Sequence, residues 1–481
     1  MMQNNHSIPT EKILERLRFE NPWWKTGFID PELDKLPRRL YFKLFYAQVG
    51  QTDLRRATIL MGPRRVGKTV MMQHTIHQLL ESGVAAHKII LISIDNPLYI
   101  HMGLEELYAL ARRASGNERT DGRYVFFDEI QYLKDWERHL KVLVDSYAKT
   151  KFIASGSAAA ALRLKSTESG AGRFHDFMLP PLTFQEFLHL QDLEHLVKES
   201  PTLYQSKNIR FVEAVDIKEL NQQFFKYLNY GGYPEVLFSS SVRHNMPGFI
   251  KSDIIDKVLL RDLPSLYGIK DVQELNRFFT YLAYNTGKEF SPQKMASESG
   301  LPWTDIKRYM GYLESAFLVK VITKVNDNAR HFKRMTGFKV YLTNPSLRTA
   351  LFSPVEPTDD EAGNIVETAV FSQWLHREHM EFHYARWKTG RKEGEVDMVY
   401  LDTKKLKPSW ALEIKWSNRY PKRPGELKSL LEFCQKNGLE SAVVTTIDKQ
   451  DQKRHGELEL YFYPVATYVY TLGENTLRSR K

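Results

Sequence analysis

The chain has 481 residues, room for about three ordinary domains; 42% of them are hydrophobic and 26% charged, so packed cores are expected and wholesale disorder is excluded. Its formal net charge of +10 favours polyanionic partners, ATP and nucleic acid among them. Its one cysteine, Cys434, excludes an intramolecular disulfide and a cysteine zinc cluster and suits a reducing compartment; no apolar run reaches bilayer length, and MMQNNHSIPTEK lacks a signal-type core, so a cytoplasmic location without membrane contact is expected.

In chain order, Glu11–Arg18 reads as a helix, and Pro22 precedes the pair Trp23-Trp24. Paired tryptophans bury much area, as core packing or as a cap on a sheet or a nucleotide pocket. Ala57–Met61 (ATILM) is an apolar strand, and Val70–Leu80 has helical spacing without a breaker. Between them lies Gly62–Thr69, GPRRVGKT, which fits G-x-x-x-x-G-K-[ST] at every required position. Such a loop turns backbone N–H groups onto a polyphosphate at the positive end of a helix. Gly62, Pro63, Arg64, Arg65, Val66, Gly67, Lys68, Thr69 and Val70 are therefore expected to surround ATP. Lys68 would reach the β- and γ-phosphates, and Thr69 would offer its hydroxyl to Mg²⁺.

Lys88–Ile94 and Arg123–Phe127 read as buried strands, the second closing in Asp128-Glu129-Ile130-Gln131. Asp128 is expected to hold Mg²⁺ and Glu129 to orient or deprotonate the attacking water. A further strand, Lys151–Ala154, leads to Ser155-Gly156-Ser157, small hydroxyls where parallel sheets bind ligands, or a simple turn. Arg173 follows Gly170-Ala171-Gly172 and is a candidate for neutralising transition-state charge on its own subunit or a neighbour's; a surface arginine is the alternative.

GPRRVGKT, FFDEIQ (126–131), Trp136, SGS (155–157), LPPLTFQEF (179–187), YLNYGGYPEV (227–236) and LLRDLPSLYGIKD (259–271) together give the chain a resemblance to prokaryotic AAA-like ATPases, from about Arg55 to about Val444. Those proteins fuse a P-loop core to a winged helix and a tail resembling PD-(D/E)XK nucleases. The chain departs from them at Arg65, where Gln is usual, and in the alanine run Ala158–Ala161. The resemblance implies an α/β P-loop NTPase with a three-layer core, a helical lid, a winged helix and a restriction-endonuclease-like α/β domain. The corresponding divisions are an N-terminal extension (1–54), ATPase core (55–190), helical lid or linker (191–275), winged helix (276–345) and nuclease-like domain (346–481).

Within the lid, Phe184–Glu199 and Ile217–Leu228 read as helices, with Gly231-Gly232 as a turn or hinge. Ser291-Pro292 starts a further helix, and Thr304 caps Asp305–Ala316, whose Ile306, Met310 and Leu313 repeat at helical spacing. Lys307 and Arg308 on that helix are candidate DNA contacts, with packing or protein interaction as the alternative. His331–Arg334 adds charge for phosphates or solvent.

In the tail, Gly363–His376 reads as a helix carrying Glu367. Glu393–Leu401 opens a strand with Asp397, and Trp410–Trp416 is the next, placing Glu413 and Lys415 on one face. This set resembles the PD-(D/E)XK arrangement, in which Asp397 and Glu413 would hold Mg²⁺, Glu367 would complete the shell and Lys415 would orient the water. A structural ion cluster is the alternative. Glu426–Asn437 reads as helix, Ser441–Thr446 as strand, Asp448–His455 as loop and Leu458–Thr471 as strand. The expectation is an ATPase that couples nucleotide state to DNA. An ATP-gated nuclease and a nucleotide-gated switch with a protein partner, as monomer or oligomer, are the alternatives.

Overall fold

The structure, a computed structural model, describes residues 9–118, 122–156, 172–203, 210–325, 337–375, 377, 380–389, 392–402, 404 and 407–479. Ser157, the Ala158–Ala161 run, Gly170-Ala171 and His331–Arg334 lie outside the described residues. The chain divides into two units, Met1–Pro180 and Pro181–Lys481, so the division falls inside the 55–190 segment and the 1–54 segment belongs to the first unit.

The first unit opens with helix α1 (Thr10–Glu20), which buries Ile13, Leu14 and Leu17 along one stripe. Asn21 then treats strand β2 (Ile89–Ser93) as a neighbouring strand would: its amide donates to Leu91 O at 2.8 Å and accepts from Leu91 N at 2.6 Å. Trp23 and Trp24 both donate their indole N–H to Ile89 O, at 3.0 and 2.8 Å. The tryptophans therefore cover the edge of the sheet, satisfying polar groups that an edge strand would leave open.

Among the described residues five parallel strands form that sheet: β1 (Ala57–Met61), β2, β3 (Tyr124–Asp128), β4 (Lys151–Gly156) and β5 (Phe174–Met178). Their order is β2-β3-β4-β1-β5. The first four are largely buried because helices such as α2 (Lys68–Glu81), α3 (Leu104–Ala114) and α4 (Trp136–Ser146) belong to the crossovers that parallel strands require, whereas β5, at the sheet edge, exposes His175 and Asp176. Trp136 is buried and stacks on Phe174, with ring centroids 5.9 Å apart. Because β4 is inserted between β1 and β3, the ends of all three strands meet on one edge of the sheet. Ligands bind at that carboxyl edge in parallel sheets.

The second unit begins with α5 (Phe184–His189), whose start carries a reciprocal capping box between Thr183 and Glu186. The expected helix to Glu199 stops early because Asp192 adopts left-handed φ of 57°, and Leu193 N returns to Leu188 O at 2.9 Å. Strands β6 (Val197–Leu203) and β7 (Arg210–Ala214) follow as an antiparallel pair, so the expected helical lid contains a two-stranded sheet. Helix α6 (Ile217–Tyr230) is capped by the Asp216 carboxylate, and Gly231 ends it where a Cβ would press on Tyr227 and Phe187.

After a series of short helical segments between Pro234 and Tyr267 come helix α7 (Val272–Tyr284), strand β8 (Glu289–Phe290), helices α8 (Pro292–Ser299) and α9 (Trp303–Ser315), and strands β9 (Val319–Val325) and β10 (Phe338–Leu342). β10 pairs antiparallel with both β8 and β9. Helix α9 starts at Trp303 after Pro302, so Thr304 sits inside its first turn instead of capping it. The chain continues through α10 (Ala362–Trp374), β11 (Phe382–Thr389), β12 (Lys392–Leu401), β13 (Pro408–Glu413), α11 (Lys428–Asn437), β14 (Ser441–Thr446), β15 (Asp451–His455), β16 (Leu458–Pro464) and α12 (Val465–Ser479). Among the described residues these strands form one mixed sheet, β15-β16-β14-β13-β12-β11-β9-β10-β8, joined by the parallel β9–β11 pairing.

Two expectations fail here. Asp451–His455 is an edge strand, not a loop, and its charges suit an unpaired edge. Leu458–Thr471 is not one strand: after Pro464, buried Val465, Tyr468, Val469 and Leu472 recur at helical spacing and α12 forms.

Candidate nucleotide site and carboxylate cluster

The loop Gly62–Gly67 leaves β1 at the carboxyl edge and enters α2 through Gly67, whose φ of 91° is left-handed. Gly62 is required for a different reason. A Cβ there would lie 2.1 Å from the backbone oxygen of Leu179, which follows β5 and donates its N–H to Met61 O at 2.7 Å. Lys68 is buried, and its Nζ donates to Pro63 O at 2.8 Å and Gly62 O at 3.2 Å. It folds over the loop whose amides it would share with a phosphate. Arg65 is exposed, with φ of 62°, and Thr69 is also exposed.

Thr69 Oγ1 donates to Asp128 Oδ2 at 2.7 Å. Ser155, fully buried at the end of β4, donates to Asp128 Oδ1 and accepts the Glu129 N–H at 3.0 Å. Burial raises the Asp128 carboxyl above its ordinary value, and the neighbouring Glu129 adds to that, against the pull of the Ser155 and Thr69 hydroxyls and Lys68. Glu129 itself sits at φ 55°, ψ 45°, a left-handed conformation uncommon for such a residue, and its carboxylate accepts from Gln131 Nε2. Lys68, Thr69, Asp128, Glu129 and Ser155 are thus brought together by three strand ends.

Arg173 is not brought to them. Its carbonyl accepts from Ala57 N at 2.8 Å, at the amino end of β1, whereas the phosphate loop follows the carboxyl end of that strand. Five strand residues, roughly 17 Å, separate the two positions. Its guanidinium pairs with Asp145 at 2.9 Å and is partly exposed. Within its own chain this position agrees with the surface-arginine alternative and does not bear on a neighbour's nucleotide.

Sequence reasoning missed Arg39. It is buried, its Nη1 donates to Val66 O at 2.7 Å and its Nη2 to Pro180 O at 3.0 Å. It lies well upstream of the loop motif, so no spacing rule points to it.

In the second unit Asp397 (β12), Glu413 (end of β13) and Lys415 converge. Lys415 Nζ lies 2.8 Å from Glu413 Oε1 and 3.3 Å from Asp397 Oδ2, which also accepts Ile414 N at 2.8 Å. Lys415 stands beyond the strand, not within it. Among the described residues Glu413 Oε2 is buried and has no hydrogen-bond partner within ordinary geometry. Burial pushes the Glu413 carboxyl up to about 8, with the Asp397 charge adding to it and Lys415 opposing it. Glu367 faces the same cluster electrostatically but is held by other groups: Lys339 Nζ at 3.0 Å and Tyr341 OH at 2.5 Å. Lys339, from β10, also reaches Glu395 Oε1 at 2.7 Å and was not foreseen. Among the described residues no three His, Cys, Asp or Glu side chains are grouped to hold a metal ion. Lys307 and Arg308 are exposed on α9, and Arg308 pairs with Asp305 at 2.8 Å.

Comparison with known proteins bears on the segment that carries the first of these sites. Residues 54–188 match the family described as AAA domain. Residues 221–358 and 362–468 match two domains of unknown function, DUF8612 and DUF4143. The chain is similar to an uncharacterized protein of Haemophilus influenzae, 23% identical over 324 residues, covering 66% of this chain and 74% of that one. It is also similar to a Methanocaldococcus jannaschii protein, 25% identical over 358 residues, covering 72% and 73%. Among solved structures, the Walker-type ATPase of Pyrococcus abyssi aligns with 67% of this chain and 97% of its own, at 15% identity and TM-score 0.38. Aeropyrum pernix ORC2 aligns with 68% and 95%, at 14% identity and TM-score 0.36. The five-stranded parallel sheet, the loop and the matched segment define an AAA-like P-loop ATPase fold. No helix among the described residues is long and apolar enough to cross a membrane.

Proposed function

We propose that this protein is a Mg²⁺-dependent ATPase whose nucleotide state governs DNA engagement by its second unit. The observation that carries the reading is the 2.7 Å contact of Thr69 Oγ1 with Asp128 Oδ2, beside buried Lys68 and Ser155. A hydroxyl and a carboxylate are the hard oxygen donors that Mg²⁺ takes, and the loop runs into the start of α2, the helix end that suits a phosphate, so the residues fit MgATP. Thr69 and Asp128 would hold Mg²⁺, which would supply charge neutralisation for the polyphosphate. Lys68 turns from its loop carbonyls to the phosphates. Ser155 fixes both Asp128 and the Glu129 backbone, and Glu129, released from Gln131, accepts a proton from the attacking water. Phosphate release measured for the full chain and for Lys68→Ala and Glu129→Gln tests this: both variants are expected to lose hydrolysis, and equal rates in all three overturn it.

The DNA part of the reading is supported by the net charge of +10 and by exposed Lys307 and Arg308 on α9, within a helix–strand–helix–helix–strand–strand order that is compatible with a winged helix at 276–345. Affinity for duplex DNA should fall steeply with salt, since each neutralised phosphate releases counterions. A flat or absent response would favour a protein partner instead.

A second reading, an ATP-gated metal-dependent nuclease in 346–481, is favoured by one observation: a buried Glu413 Oε2 without a hydrogen-bond partner among the described residues, beside Asp397 and Lys415. Two carboxylates fit one divalent cation, while Glu367 is engaged by Lys339 and Tyr341 and does not fit as a free third ligand. A bound divalent cation lowers the pKa of water. Lys415 would orient that water from its position between the two carboxylates. Plasmid cleavage with Mg²⁺ or Mn²⁺ that disappears in Asp397→Asn and Lys415→Ala would establish this reading, and no such cleavage with or without ATP rejects it.

A further inference from the structure

Arg39 is a buried cation in the segment before the sheet, outside every motif of the nucleotide site. Its guanidinium fork spans two backbone carbonyls, Val66 O at 2.7 Å and Pro180 O at 3.0 Å, from positions 27 and 141 residues away in sequence. The first carbonyl belongs to the phosphate loop itself. The second follows Leu179, the residue whose oxygen lies where a Cβ on Gly62 would be. Arg39 therefore ties the far end of the loop to the backbone that packs against its near end.

The consequence follows from peptide geometry. The described chain has no cis peptide, so the Val66 carbonyl and the Gly67 N–H point in opposite directions from one rigid plane. With Val66 O held by Arg39, Gly67 N–H is turned away from Arg39. Gly67, at left-handed φ of 91°, lacks a side chain to resist other orientations and would otherwise sample several. A loop that binds phosphate through backbone N–H groups gains affinity when those groups are already aligned, because ordering them on binding costs free energy. Arginine suits the task, since its planar fork reaches two acceptors at once and it stays charged when buried.

We propose that Arg39 is a positioning residue for the phosphate loop, presetting the Val66–Gly67 peptide for the polyphosphate of a nucleotide; the inference rests on the ATPase reading above. The test is titration of a fluorescent MgATP analogue against the full chain, with Arg39→Ala, Arg39→Lys, Lys68→Ala and Leu17→Ala, alongside melting temperature. Leu17 is buried in α1, apart from the loop, and controls for lost stability. Arg39→Ala is expected to weaken binding by about ten- to a hundredfold, the loss of a charge-assisted hydrogen bond. Arg39→Lys, which reaches only one carbonyl, should fall between. Leu17→Ala should lower the melting temperature while leaving affinity within about twofold. In steady-state hydrolysis KM should rise more than kcat falls, because the loop binds ground and transition states alike. If Arg39→Ala binds within about twofold of the parent while Lys68→Ala does not bind, this inference fails and the ATPase reading stands. Should Leu17→Ala weaken binding as much as Arg39→Ala, the role of Arg39 is only structural and the inference fails. If Arg39→Ala does not fold, Arg39→Lys decides by the same criteria. No binding by the parent chain overturns the ATPase reading, and this inference with it.

Discussion

Thr69 and Asp128 are 59 positions apart in the chain, yet Thr69 Oγ1 donates to Asp128 Oδ2 at 2.7 Å. The contact exists because β4 enters the sheet between β1 and β3 and brings Ser155 to the other oxygen of the same carboxylate. A buried acid is thus held by two hydroxyls, with no cation in direct contact among the interactions described.

That arrangement makes Asp128 a site where function works against stability. Its carboxyl is raised, so the folded chain binds the proton more tightly than the unfolded chain. The stabilisation is complete below the unfolded value and is lost as pH rises through the folded one. Asp128→Asn keeps the shape without the charge. The variant should melt at or above the parent's temperature at pH 7 without nucleotide, and should lose the stabilisation that MgATP gives the parent. Differential scanning calorimetry with and without MgATP checks both; a marked loss of stability in the nucleotide-free variant contradicts this account.

Gly62→Ala should damage the loop through backbone collision. The new Cβ would sit 2.1 Å from Leu179 O, which is backbone and cannot swing aside. The variant is expected to lose about 1–3 kcal/mol in urea unfolding, as overpacked sites do, together with nucleotide binding. Normal affinity would show that β5 and the loop separate freely.

Glu413 should make the second unit sensitive to pH and to divalent cations. Its carboxyl is pushed up to about 8, so its stabilising contribution is present at low pH and is lost as pH rises through that value. Glu413→Gln should match the parent near pH 6 and exceed it in melting temperature near pH 9. If a cation binds here, Mn²⁺ should raise the parent's melting temperature more near pH 9 than near pH 6, with Asp397→Asn abolishing the effect. Cation shifts that persist in Asp397→Asn would place binding elsewhere.

Cys434 should be chemically silent in the folded chain. It is buried in α11, and burial pushes its thiol up to about 12, far from the thiolate that reacts. A maleimide at neutral pH should label the native protein negligibly and the urea-unfolded protein stoichiometrically, by mass spectrometry. Rapid native labelling would mean that α11 opens readily.

Much of the first site was legible in sequence because its parts are local. GPRRVGKT lies between an apolar strand and a helix, and Asp128-Glu129 closes another strand. The sequence left Arg173 between a phosphate contact and a surface arginine because a glycine-rich approach says nothing about which end of a strand it leads to. Arg39 and Lys339 were missed because both are charges buried against partners distant in sequence, with no periodic pattern marking them. The strand pair Val197–Leu203 and Arg210–Ala214 and helix Val465–Ser479 were misjudged where a left-handed Asp192 and a change from strand to helix period decided the outcome.

The sequence by itself determined the phosphate loop, the acidic strand end and the strand-bound Asp397 and Glu413, since each is set by neighbours within a few residues. Only the tertiary structure decided the rest. The strand order assembled Thr69, Asp128 and Ser155, and kept Arg173 at the opposite edge. It also set Lys339 against Glu367 and Arg39 against the loop. Strand order and burial are properties of long-range packing, and the free energy of a buried charge is set by the partners that packing supplies.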